Sequence, residues 1–171
     1  MTLNQIIGIA AQYLDMPLTR GEFKKTLLKA AERAYRSVIT EHLPLWHTEE
    51  IEAADGKIYF SGFGRAPIRI RRVTRNGRRV RFGVFPDYIT VGAAGIYSVK
   101  YSYFPEDKHP DAQLDLNLNM TPQVMALGAA AEYALQTGLY EKAVLLQDRF
   151  RDSLRSLITS RPDMSLARTG N

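Results

Sequence analysis

The sequence contains no cysteine, and this absence excludes several classes of site at once. Disulfides, thiol catalysis and every zinc or iron–sulfur site with cysteine ligands are ruled out. Three histidines are present, His42, His47 and His109, and no two of them lie three or four residues apart, the spacing that would place them on one face of a helix. We therefore expect neither a metal site nor a cofactor.

Long apolar runs are also absent. No run approaches the roughly 18 residues that a membrane-spanning helix needs. Residues 1–15 lack the basic start of an export signal and include Asp15 where its apolar core would lie. We expect a chain that neither crosses a membrane nor is exported by a cleaved signal. With 171 residues, of which 45% are hydrophobic, the chain is long enough to fold as one domain.

The net charge of +5 is concentrated in the middle of the chain. Residues 55–104 carry ten basic and two acidic side chains, a net charge of +8, whereas residues 1–54 have a net charge of −1 and residues 105–171 of −2. Eight arginines lie among the seventeen positions 65–81, which contain no acidic residue. Such an uneven charge indicates a surface that meets an anionic partner.

Hydrophobic spacing predicts four helices. Residues 2–14 and 20–41 each keep one apolar face. Thr121 and Pro122 begin a third helix that Gly138 ends, and its small side chains predict that it is the most enclosed element. In the fourth helix the side chains predicted to face inward are Ala143, Val144, Leu146, Phe150, Leu154, Leu157 and Ile158.

Between the second and third predicted helices the hydrophobic period changes to that of strands. Asp55-Gly56 and Asn76-Gly77 are typical of two-residue type I′ hairpin turns. The tyrosines of residues 97–103 alternate with polar residues, so we expect the aromatic side of this last strand to pack on the helices. The segments predicted as antiparallel strands are 46–53, 57–61, 68–75, 78–84, 88–91 and 96–104.

These elements predict an α+β fold that is mainly α: a four-helix bundle with an antiparallel β insertion between helices 2 and 3. Neither helical pair can bury its apolar face alone, so we expect both ends of the chain to close one core. One domain is expected over residues 1–159, with helices in 1–43 and 121–159, the β insertion in 45–104, a loop in 105–120, and a flexible tail in 160–171.

No convergent set of catalytic residues is visible in the sequence. The glycines of residues 62–64 are followed neither by the Gly-Lys-Ser/Thr of a phosphate loop nor by a helix start, so a tight β turn is favoured. Glu49, Glu50 and Glu52 could supply paired carboxylates, but the alternation of a strand places only Glu50 and Glu52 on one face, and an exposed acidic edge is favoured. We expect no enzymatic activity.

The arginines of residues 65–81 are the strongest candidates for a binding surface. On the predicted hairpin they alternate with apolar residues, which gives one apolar face and one guanidinium face. The adjacent Arg71 and Arg72 break the alternation and predict a β-bulge. The candidate contact residues are Arg69, Arg71, Arg72, Arg75, Arg78, Arg79 and Arg81.

The sequence leaves two interpretations of this arginine face open. It is either a solvated face that meets an acidic protein, or a surface that contacts nucleic-acid phosphates directly. Nucleic-acid readers usually interleave exposed aromatic or polar base-reading groups with the charge, and the hairpin sequence shows neither. This lack favours the first interpretation.

Two stretches of the chain resemble the head–tail adaptor (connector) proteins of tailed bacteriophages. The second helix of that family and its first strand are similar to residues 29–50, KAAERAYRSVITEHLPLWHTEE. Its tyrosine–proline strand end, alternating leucines, small-residue helix and final helix are similar to residues 101–154, YSYFPEDKHPDAQLDLNLNMTPQVMALGAAAEYALQTGLYEKAVLLQDRFRDSL.

The resemblance implies a structural virion protein that forms a homo-oligomeric ring, expected to be a dodecamer, in the neck between capsid and tail. Such a ring assembles in the host cytoplasm, binds the portal protein and a tail-side connector or tail protein, and continues the channel through which DNA passes without sequence-specific binding. The residues implied to dock on the portal lie in the tail and are Arg161, Met164, Leu166 and Arg168.

For the arginine hairpin, residues 65–81, the resemblance implies a position facing tail proteins or the channel. A channel through which DNA slides is better lined by negative or weakly charged groups, because dense arginines hold phosphates. The charge of the hairpin therefore favours an outer or tail-facing position. The alternative function is a nucleic-acid-binding module that uses this hairpin.

Overall fold

The computed structural model describes residues 1–19, 21–116 and 120–159. Within them lie four α-helices and seven strands in two antiparallel sheets, an α+β fold with 46% of residues helical and 25% in strands. Two compact units are formed: a helical unit of residues 1–37 with the described residues from Asp107 onward, and a β unit of residues 38–106. The prediction of one domain over residues 1–159 stays a prediction, and the predicted tail with its four portal-docking residues lies outside the described residues.

Local capping signals fix the ends of the helices. Thr2 caps the first helix by accepting a hydrogen bond from the Gln5 backbone N–H at 3.2 Å, and the Gln5 side chain accepts one from the Thr2 N–H at 2.9 Å. Thr121 and Pro122 begin the third helix as predicted, and Gly138 follows it with a φ of 80°. The helices are α1 (Leu3–Leu14), α2 (Gly21–Ser37, continued by a π-helical turn, Val38–His42), α3 (Pro122–Gln136) and α4 (Tyr140–Thr159).

The predicted four-helix bundle is wrong, because the described residues form seven strands in two antiparallel sheets beside the four helices. Among the described elements, α3 packs against α1, α2 and α4, whereas α4 makes extensive contacts with α3 alone. The reason lies in the buried residues of α3, six of which are alanine or glycine and let neighbouring backbones approach closely from several sides. The predicted enclosure of α3 is confirmed, since eight of its residues are buried.

Packing on one side only also determines which residues of α4 are buried. Ala143, Leu146, Phe150 and Leu154 form its buried stripe. Val144, which was predicted to face inward, is 62% exposed, so that prediction is wrong. A helix with one neighbour buries a single narrow stripe, and Val144 lies on the flank of that stripe.

The predicted strands correspond closely to the observed ones, except that segment 78–84 is divided in two. Both two-residue turns are confirmed, with positive φ at Asp55, Gly56, Asn76 and Gly77. The strands are β1 (Leu45–Ala53), β2 (Lys57–Tyr59), β3 (Pro67–Arg75), β4 (Arg78–Val80), β5 (Gly83–Val84), β6 (Tyr88–Thr90) and β7 (Gly95–Tyr103).

The strands form a four-stranded sheet in the order β1-β7-β3-β4 and a three-stranded sheet in the order β2-β6-β5. In the larger sheet β1 pairs antiparallel with β7, from Leu45 opposite Tyr103 to Ala53 opposite Gly95. The core of the β unit joins one side of the larger sheet to Ile58 and Ile89 of the smaller one. The aromatic side of β7 belongs to this core, so the prediction that it packs on the helices is wrong.

Candidate functional site

The side of the four-stranded sheet that faces away from this core collects most of the candidate arginines. The pairing of β1 and β3 with β7 places Trp46, Ser102 and Arg69 in one row across the sheet. Thr48, Lys100 and Arg72 form the next row. We call this side the outer face; its members are Trp46, Thr48, Glu50, Glu52, Arg69, Arg71, Arg72, Thr74, Arg79, Ile96, Ser98, Lys100 and Ser102.

A β-bulge in β3 increases the number of arginines on the outer face. The register between β3 and β7 shifts between Ile70 and Arg72, so the bulge predicted at Arg71 and Arg72 is confirmed. A bulge sets two consecutive residues opposite one partner residue. It therefore allows Arg69, Arg71 and Arg72 to share one face, which the strict alternation of a regular strand would prevent.

An aromatic side chain lies within this cationic surface. The guanidinium carbon of Arg71 is 4.9 Å from the centroid of the Trp46 ring, a cation–π contact. The hairpin, residues 65–81, contains no aromatic residue, and Trp46 reaches its arginines from another strand. The hairpin sequence could not reveal the contact, because Trp46 comes from β1, on the far side of β7. The available signal was the alternation of Trp46 with Thr48 and Glu50 on the polar side of β1.

The positive charge of the outer face is not compensated within the described part of the chain. There, none of the seven candidate arginines lies within ion-pair distance of a carboxylate. On this face Arg72 lies directly opposite Lys100. Like charges at directly opposed positions of a sheet are destabilising. The chain thus maintains an unfavourable concentration of cations at this face.

The seven candidate arginines do not form one group. Arg75 belongs to the inner side, where its guanidinium carbon lies 5.4 Å from the Tyr97 ring centroid. Arg78 is at the hairpin turn, and Arg81 lies beyond the end of β4. The structure therefore brings together Arg69, Arg71, Arg72 and Arg79 on the outer face.

Glu49 lies on the opposite side of β1 from Glu50 and Glu52 and forms a polar cluster of its own. Its carboxylate accepts hydrogen bonds from the Tyr101 hydroxyl at 2.8 Å and from the Gly64 backbone N–H at 3.1 Å. His47 Nε2 is 3.8 Å from the same carboxylate. Burial, followed by the hydrogen bond to Glu49, raises the pKa of Tyr101 to about 12. The cluster ties the turn after residue 60 to the sheet.

The raised pKa of Tyr101 predicts a loss of stability in alkali. The hydroxyl ionises at about pH 10 in an unfolded chain, so its contribution is complete below that pH and is lost as the pH rises toward the folded-state pKa. Over this range Tyr101→Phe should remove roughly 2 kcal/mol of the decline in unfolding free energy, measured by urea denaturation at stepped pH. Tyr59→Phe, at an exposed tyrosine, is the control; equal declines in both variants would contradict the prediction.

A second candidate site is an apolar groove between α3 and α4, with a volume of about 350 Å³. Leu135, Tyr140 and Val144 line it and are 56%, 66% and 62% exposed. Glu132, Asp148 and Arg151 also line it. Exposed apolar surface that is contiguous and bordered by polar residues marks an interaction site in soluble proteins. We call this feature the α3–α4 groove.

Two further observations concern the described residues alone. Within 1–19, 21–116 and 120–159, no group of three or more histidine and acidic side chains is arranged to hold a metal ion. No helix in the same ranges has the length and apolar character needed to cross a membrane.

Comparison of the chain with models of known protein families finds no match, and no curated protein matches it. The resemblance to bacteriophage adaptor proteins therefore rests on residues 29–50 and 101–154 themselves.

Proposed function

We propose that this chain is a subunit of the head–tail adaptor ring of a tailed bacteriophage. In this role it binds the portal protein on one side and a tail-side protein on the other, continues the DNA channel in the virion neck, and catalyses no reaction. Support comes from the similarity of residues 29–50 and 101–154 to that family and from the surface of the helical unit.

The α3–α4 groove is the observation that carries the proposal. In the described part of the helical unit, the large apolar side chains that are exposed all lie where α3 ends and α4 begins: Leu135, Leu139, Tyr140, Val144 and Leu145. Burying apolar surface contributes about 25 cal/mol per Å². In an assembly of subunits such an apolar surface is buried against a neighbour. In a monomer it stays in contact with water.

A second copy of the chain is the occupant that a homo-oligomeric ring requires. The groove carries both signs of charge, because Arg151 lines it together with Glu132 and Asp148 and lies 3.4 Å from the Asp148 carboxylate. Its exposed apolar residues, Leu135, Tyr140 and Val144, are therefore the ones that a neighbouring copy would cover. A contact between two different surfaces of the same chain builds rings when the rotation closes.

Val144→Lys tests this assembly. A lysine in the groove is expected to raise the protein concentration at which assembly is half complete about 30-fold, because burying the ammonium group costs about 2 kcal/mol. Sedimentation velocity of the full chain, alone and mixed with portal protein, measures the assembly. The control, Val84→Lys, changes another exposed valine, in the β unit, and is expected to assemble as the unmodified chain does. A chain that stays monomeric with and without portal protein, or a Val144→Lys variant that assembles normally, would contradict the proposal.

A further inference from the structure

The outer face of the four-stranded sheet presents arginines whose charge no described carboxylate neutralises. We propose that this face binds the phosphodiester backbone of a nucleic acid without reading its bases. The inference rests on the β unit alone and does not depend on the adaptor role or on the α3–α4 groove.

The arrangement of the cations suits a chain of phosphates. Arg69 and Arg72 of β3 lie in successive rows across the sheet, and Lys100 lies beside Arg72 on the neighbouring strand, β7. Neighbouring strands are about 4.8 Å apart, and same-face residues along a strand are about 6.8 Å apart. Several side chains can therefore contact adjacent phosphates at the same time. Arginine forks bind phosphate oxygens bidentately, and each contact releases condensed counterions from the nucleic acid.

The polar members of the outer face add uncharged donors to this array. Ser98 lies on β7, the strand next to the arginines of β3, and Thr48 lies on β1, on the other side of β7. Serine and threonine hydroxyls commonly contact phosphate oxygens in protein–DNA complexes. The Arg71 guanidinium stacks over the Trp46 ring, and this contact restricts its position on the outer face.

An acidic protein segment fits this face less well than a nucleic acid does. Protein interfaces place apolar residues at the centre and charges at the rim, whereas protein–DNA interfaces are polar and positive throughout. The centre of the outer face holds Lys100 and Arg72, and its exposed aliphatic residue, Ile96, lies at the end of β7 beside Glu52. Glu50 and Glu52 repel phosphates, and this confines the bound strand to the β7 and β3 side.

Salt titration of the full chain with labelled DNA tests the proposal. Anisotropy of a labelled duplex and of a labelled single strand gives the association constant at each salt concentration. The emission of Trp46 gives a second reading from the site itself, because the sequence has one tryptophan. We expect the logarithm of the association constant to fall linearly with the logarithm of the salt concentration for the form that binds, duplex or single strand.

The decisive variant replaces Arg69, Arg71 and Arg72 with glutamine. If each makes one phosphate contact with a duplex, the salt slope decreases by about three, and the association constant at about 0.1 M salt falls on the order of 100-fold. Replacing the same three arginines with lysine keeps the charges and is expected to keep most of the salt slope. If circular dichroism shows that the glutamine variant does not fold, Glu50→Gln is measured instead. It is expected to raise the association constant about threefold, because it removes the repulsion between the Glu50 carboxylate and the phosphates.

A matched control changes three exposed cations of α2, Lys25, Lys29 and Arg33, to glutamine. This control has the same net charge as the glutamine variant of the outer face and is expected to bind DNA as the unmodified chain does. Equal losses in both variants would overturn the proposal, since binding would then follow net charge. Absence of binding at low salt would also overturn it. So would polyglutamate that binds as tightly as DNA, which would identify an acidic protein as the partner.

Discussion

Replacing Phe150 with alanine lowers the free energy of unfolding of the helical unit by about 4 kcal/mol. The ring is 7% exposed and packs on the backbone of α3 at Gly128. A Cβ atom added to Gly128 would lie 2.8 Å from Phe150 Cζ. Because α4 makes extensive contacts with α3 alone, few other buried contacts can compensate for the loss of the ring.

Urea denaturation followed by the helical circular-dichroism signal measures this effect. Leu145→Ala, at a 52% exposed position of the same helix, is expected to change the unfolding free energy by less than about 0.5 kcal/mol. A loss at Phe150 no larger than this control would contradict the prediction.

Gly128→Ala provides a test of the same contact from the α3 side. In the unmodified chain the added methyl group overlaps the Phe150 ring, so the variant loses stability. In a Phe150→Ala background the methyl group has space, and the substitution gains up to about 1 kcal/mol of helix propensity. Two strictly additive effects would show that the ring and the glycine do not form a single contact.

Replacing Glu49 with alanine lowers the free energy of unfolding of the β unit by about 3 kcal/mol. The carboxylate accepts hydrogen bonds from Tyr101, which is fully buried, and from the Gly64 backbone N–H. Hydrogen bonds to a charged group contribute about 1.5 to 3 kcal/mol each, and the two bonds share one acceptor group. Without the carboxylate the Tyr101 hydroxyl loses its charged partner inside the unit.

The emission of Trp46 follows this unfolding, because the residue belongs to the β unit. Glu50→Ala is a matched control, since it removes the same side chain from the next position of β1, where it is exposed. Its effect is expected to stay within about 0.5 kcal/mol. If both variants lose the same stability, the loss belongs to the strand and not to the hydrogen bonds of Glu49.

Features fixed by a few neighbouring residues could be predicted from the sequence. The two hairpin turns depend on the positive φ that Asp55, Gly56, Asn76 and Gly77 adopt. The start of α3 depends on the Thr121 hydroxyl and on Pro122. The bulge at Arg71 and Arg72 was visible as a break in alternation. Each of these features is determined by two to four consecutive residues, so the local sequence is sufficient to predict it.

Features that depend on which elements become neighbours could not be predicted. Periodicity shows that α4 has an apolar face, but the number of helices that cover this face decides whether Val144 is buried. Likewise, β1 and β3 both pair with β7, and only this order brings Trp46 to Arg71. The hydrogen bond from Gly64 to Glu49 could not be predicted either, because Gly64 belongs to a different segment of the chain.

The pairing of β1 with β7 has a consequence for how the chain can change. These are the first and last strands of the β unit, and Leu45 lies opposite Tyr103, so the inserted segment starts and finishes at one spot. A short connecting loop can replace the whole segment without pulling apart the helices on either side of it in the sequence. The β unit is therefore a segment that could be removed or replaced as a whole while the two parts of the helical unit stay connected in the chain.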